Sequence, residues 1–172
     1  MTVHLPLSTK ERKQLFKHTS AAPRVIEKLL RGVTSDQMVV QPNGEFSLHE
    51  HVWHLADLES EGFRPRLLAL LNEDYPQLAN FDGDLIAQQR NYHSLPLQQA
   101  FFRFSETRLQ NLWLLSGIGH ADWMRRGEQA GLGEVCLADV FRAMAAHDFA
   151  HIQTIEAQRK GKPDNRSSTA AA

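Results

Sequence analysis

His147 and His151 stand four positions apart in the run Met144-Ala145-Ala146-His147-Asp148-Phe149-Ala150-His151-Ile152. On a helix, that spacing puts two imidazoles on one face with Cβ atoms roughly 5–6 Å apart, which suits two ligands of one metal ion. The pair continues an apolar stripe made by Leu137, Val140, Phe141, Met144 and, beyond it, Ile155. Rings on such a stripe need a partner or a metal, because burying them unpaired costs free energy. A further set, His49, His51 and His54, lies about ninety residues upstream. It is not the zinc-protease motif, since Trp53 stands where the second histidine after His49-Glu50 would fall. His51 and His54 can share a helix face, whereas His49 points elsewhere, so spacing leaves the choice between 51 and 54 open. Three neutral imidazoles would leave a tetrahedral ion one open position, as in catalytic zinc sites. Such an ion lowers the pKa of a bound water or thiol and makes a nucleophile near neutral pH. Imidazole suits Zn, Ni, Cu and Fe alike. The plainer reading has these histidines bonded only to neighbouring polar groups.

The elements that must position these residues read as helices. The first runs from about Thr9 to Arg31, with Pro23 either restarting or kinking it and Gly32 as its stop. A second begins at Ser47, which with Glu50 forms a capping-box pattern, and runs to about Asn72, with Pro65 bending its later half. Residues 73–95 read as a long connection with a short helix near Asp84–Tyr92. The third long helix covers about Leu97 to Leu115, and a second long loop, about 117–136, follows it. The last helix runs from about Leu137 to Lys160. No segment shows a strand period. The expected fold is all-α, an antiparallel four-helix bundle with long helix 2–3 and helix 3–4 connections. It forms one domain over residues 1–160, with a disordered tail over 161–172.

Composition narrows the class. At 172 residues, 42% hydrophobic and 23% charged, the chain suits one soluble globular domain. A formal net charge of −1 gives no electrostatic case for nucleic acid. No apolar run approaches the ~20 residues that span a bilayer, and no signal-peptide block precedes Lys10, so a cytoplasmic location is expected. The lone Cys136 excludes an intrachain disulfide and a cysteine-cluster metal site.

The segments Phe46-Ser47-Leu48-His49-Glu50-His51-Val52-Trp53-His54-Leu55-Ala56-Asp57-Leu58-Glu59 and His147-Asp148-Phe149-Ala150-His151-Ile152-Gln153 together resemble the DinB-like/YfiT-like superfamily of metal-binding four-helix bundles. The resemblance extends over about Thr19 to Arg159, including Thr34-Ser35-Asp36-Gln37 and the loop from Trp123 to Leu137. It departs from the family at Phe46, where a Trp is common. The resemblance implies His54, not His51, as first ligand, with His147 and His151 completing the set. It also implies one divalent ion, Zn or Ni, and either thiol-dependent transfer with bacillithiol, mycothiol or glutathione, or hydrolysis. A small-molecule substrate and a homodimer are the partners it suggests. A non-catalytic, stress-associated metal- or ligand-binding bundle is the alternative.

The remaining candidates have plainer readings beside the functional ones. Arg126, with Arg125 and Trp123 beside it, is the candidate hold for an anionic substrate or thiol, although loop arginines are usually solvated. Glu59 reads as a surface or outer-sphere carboxylate. Asp148 reads as solvated or capping, since adjacent helix positions do not face each other. Cys136, just before the last helix, could be a reactive thiol at a helix N-terminus but reads more plainly as an inert small hydrophobe.

Overall fold

The computed structural model describes residues 4–161. The tail expected over 161–172 therefore lies, but for Gly161, outside the described residues. Helix α1 spans Thr9–Leu29, capped by the Ser8 hydroxyl, and runs through Pro23 without a break. Proline lacks the N–H that would bond the carbonyl four residues back. That carbonyl, Thr19 O, instead accepts from the Arg108 guanidinium at 2.8 Å. Gly32, just past the end of α1, takes the left-handed conformation at φ 78°. A short helix α2, Ser35–Met38, opens on a Thr34–Gln37 capping box.

The second long helix is built from two pieces. Helix α3 is Leu48–Asp57 and helix α4 is Arg64–Asn72, joined by a π-helical stretch at Leu58–Phe63. The expected Ser47–Glu50 capping box is present. The irregularity falls immediately before Pro65, which is where a missing N–H needs an adjusted turn. The connection that follows carries β1 at Gln77–Leu78 and helix α5 at Gly83–Arg90. Helix α6 spans Leu97–Ser116 and helix α7 spans Leu137–Arg159. Helix α1 packs on α6 and α7, and α3 packs on the same two.

The 117–136 loop is not strand-free. Strands β2 (Arg126–Gln129) and β3 (Gly133–Cys136) form an antiparallel hairpin, with Gln129 opposite Gly133, and β1 adds to it in parallel. The hairpin turns through Gly131 and Gly133, both at φ 82°. A mostly helical chain thus carries a small three-stranded sheet, which corrects the all-α expectation. No helix among the described residues is long and apolar enough to cross a membrane.

The core has two apolar clusters. One gathers Leu58, Phe63, Leu67, Leu70, Phe141 and Met144, and the other Ile26, Val52, Trp53, Phe104 and Ile155. On α7, His147 and His151 fall between Met144 of the first cluster and Ile155 of the second. The histidines therefore sit at the seam of the two clusters, flanked by apolar packing at both ends.

Candidate metal centre

His54 comes from α3, and His147 and His151 come from successive turns of α7. His54 Nε2 lies 3.2 Å from His147 Nε2, and His151 Nε2 lies 3.1 Å from the same atom. All three residues offer ligand nitrogens within 4.8 Å of one another. Nitrogens 2.0–2.1 Å from a tetrahedral ion stand about 3.3 Å apart, so this donor set fits a first-row divalent ion. The rings are neutral: burial pushes His54 down to about 4. Burial, reinforced by His54 and Arg108, lowers His147 to about 3. Burial likewise holds His151 well below the ordinary imidazole value. Only neutral imidazole offers a lone pair to a metal.

The surroundings fix each ring. Phe46 and Phe81 flank His54 with ring centroids at 5.2 and 6.0 Å, so Phe46 supplies an apolar contact to the ring. The N-terminus of α5 comes so close that a Cβ on Gly83 would stand 2.7 Å from His54 Nδ1, and closer still to Cε1. Only glycine fits there. His51 does not join the three converging nitrogens. Its Nδ1 meets His151 Nδ1 at 2.7 Å, from behind. Burial lowers His51 to about 3, so it too is neutral. When His151 uses Nε2 as a ligand, its proton sits on Nδ1 and is donated to His51 Nδ1, which sets the tautomer and the ring plane. His49 faces away, toward His93.

The carboxylates near the centre are occupied. Asp148, between the two α7 histidines, is buried and takes both Arg108 nitrogens, at 2.5 and 2.9 Å. Glu59 accepts from Arg108 at 2.7 Å and from Asn111 at 2.7 Å. Asp148 is not the solvated group expected from the sequence, and of the two readings of Glu59 the surface one fails, because Arg108 reaches both from α6 and compensates their burial. Asp57 is fully buried and binds Tyr92, Arg90 and Arg103. The chain therefore anchors α7 through Asp148–Arg108, and that fixes the rotation presenting His147 and His151 to His54.

The loop candidates lie elsewhere. Trp123 is 2% exposed and its indole stacks on Phe141, so it belongs to the core. Arg126 is on β2 with its guanidinium on Glu134 at the surface, and Arg125 binds the Leu70 and Glu73 carbonyls. The hairpin residues that border His147 are Gln129 and Leu132, at its turn. Cys136 is buried as expected. It caps α7, donating to Asp139 beside His4, and burial pushes its thiol up to about 11. The His4 side chain, 4% exposed, is enclosed there as well.

Comparison with known proteins bears on the fold and the family. YfiT from Bacillus subtilis, described as a probable metal-dependent hydrolase with an unusual four-helix bundle topology, superposes with a TM-score of 0.81 at 15% identity. The match covers 95% of each chain and establishes a shared fold. None of the curated proteins matches the sequence. The family model of the DinB superfamily matches residues 18–155, and the chain belongs to that superfamily.

Proposed function

We propose that the protein is a metal-dependent hydrolase in which His54, His147 and His151 hold one divalent ion, Zn or Ni. The convergence of three neutral imidazole nitrogens at 3.1–3.2 Å is the observation that carries this reading. A bound ion of this kind polarises a carbonyl and acidifies a coordinated water or thiol. The residues around it do the rest. His51 holds the His151 tautomer, Asp148 and Arg108 hold α7, and Phe46, Phe63 and Phe81 pack against the His54 and His147 rings. With Glu59 and Asp148 both committed to Arg108, no carboxylate of that network is free to serve as general base. The description of YfiT as a probable hydrolase supports the choice of water over a thiol as nucleophile.

The test is a panel of ester, amide and lactone substrates against metal-loaded protein, with and without a low-molecular-weight thiol. The reading predicts thiol-independent turnover that His54→Ala abolishes. Turnover only with thiol would turn the assignment to S-transfer. Turnover unchanged in His54→Ala would exclude the centre from the reaction.

A further inference from the structure

A single cysteine excludes a cysteine cluster but not a mixed site. Cys136 ends β3 and caps α7, and Asp139 stands three residues on, so one helical turn sets a thiol beside a carboxylate. Cys136 Sγ lies 3.0 Å from Asp139 Oδ2, and His4 Nδ1 lies 2.5 Å from the same oxygen. The three ligand atoms all fall within 4.8 Å of one another. Arg142 takes the other Asp139 oxygen, Oδ1, at 3.2 Å, which leaves Oδ2 to the cluster. The segment that brings His4 here is fastened independently. Arg142 donates to the Leu5 carbonyl at 2.9 Å, and Leu7 is buried in the core.

The enclosed His4 ring has a carboxylate on each side, Asp139 at Nδ1 and Glu134 at 3.3 Å from Nε2. A neutral imidazole carries only one N–H to share between them. With the proton on Nδ1, Nε2 is an acceptor buried without a hydrogen-bond partner among the described residues. With the proton on Nε2, the Nδ1 lone pair meets an Asp139 oxygen at 2.5 Å. Either tautomer costs free energy, and a cation held on Nδ1 removes the conflict. Nε2–H then faces Glu134, the carboxylate–histidine arrangement that stands behind metal-bound imidazoles.

We propose that His4 Nδ1, Cys136 Sγ and Asp139 Oδ2 form a second metal site, for a divalent ion of the zinc type that accepts thiolate, imidazole and carboxylate together. It lies eleven residues before His147, roughly 16 Å back along α7, and does not depend on the histidine centre. The Asp139 side chain is 31% exposed, which gives the ion and a fourth, water ligand a way in. On binding, the thiol proton leaves to solvent and the donors spread to about 3.3–3.6 Å apart, while Oδ2 keeps its bond from the Cys136 amide. Burial and Asp139 hold the thiol up at about 11, so the ion displaces a firmly held proton. The site is therefore the weaker of the two and fills on added metal, clipping the N-terminal segment to the junction of β3 and α7.

The test titrates cobalt(II) into the metal-free full chain. Cobalt bound to thiolate absorbs in the near ultraviolet by charge transfer, and Cys136 is the only cysteine in the chain. The histidine centre has no sulfur and cannot produce that band. The band is expected in the wild type and in His54→Ala alike, and zinc is expected to displace it. His4→Ala, outside any helix, and Asp139→Asn, which keeps a capping oxygen on α7, are each expected to weaken the affinity read from the band at least about tenfold. No band in the wild type at saturating cobalt would overturn the proposal and leave the cluster held by protons alone. A band of unchanged affinity in both His4→Ala and Asp139→Asn would overturn it too. A band from a wild-type chain that takes up no second ion would sink the histidine centre and leave this site standing.

Discussion

Burial decides the protonation state of the histidines. Loss of solvent keeps His51, His54, His147 and His151 unprotonated far below the ordinary imidazole value of 6.5. Lone pairs are therefore available without any deprotonation near neutral pH. Ring orientation matters as well, and here His51 contributes although it is not one of the three converging residues. Replacing an outer-sphere partner of a metal-bound histidine costs about 10–100-fold in affinity. His51→Ala is therefore expected to weaken metal binding at the histidine centre by about that factor while leaving one ion there at saturation. Chelator competition measures it, and unaltered affinity would remove His51 from the account. Spacing alone had left His51 and His54 as equals, because both lie on one helix face. The difference is which nitrogen meets the partner: Nε2 of His54 faces His147, and Nδ1 of His51 faces His151.

Neighbouring elements hold these residues in register. Helix α5 closes over His54 at Gly83, where any side chain would overlap the ring. Overpacking of this kind costs about 1–3 kcal/mol, and rotation of the His54 ring is the available relief. Gly83→Ala is thus expected to lower metal affinity far more than it lowers the melting temperature of the metal-free chain. Equal losses in both would make Gly83 a folding residue only. The long helices and the Ser47–Glu50 cap were legible because their signals are local: apolar stripes, a capping box, glycine stops. The three-stranded sheet was not. Its strands read Gln-Leu, Arg-Gly-Glu-Gln and Gly-Glu-Val-Cys, too short and too poor in β-branched residues to show a period of two. Arg108 was missed for another reason, since its partners Thr19, Glu59 and Asp148 lie 40 to 89 residues away. One signal did exist. Pro23 frees the Thr19 carbonyl, and a buried free carbonyl must find a donor.

For the molecule as a whole, a histidine cluster at the seam of two apolar clusters ties stability to pH. In the metal-free protein these four histidines have folded-state pKa values depressed below 6.5, with His54 near 4 and His51 near 3. Their contribution is fully present above pH 6.5 and is lost as pH falls, because the unfolded chain takes up protons that the folded one excludes. Each excluded proton steepens the loss by about 1.4 kcal/mol per pH unit. Urea midpoints of the metal-free chain should be level above pH 7 and fall steadily between about pH 6.5 and 4. A level midpoint across that window would show the histidines to be solvated in the folded state. The central claim, that His54, His147 and His151 form one metal centre, has a more direct test in the metal content of natively purified protein and its alanine variants. The account predicts one divalent ion per wild-type chain and its loss in His54→Ala, His147→Ala and His151→Ala alike, with the helical fold retained. Undiminished stoichiometric metal in His147→Ala and His151→Ala would contradict it.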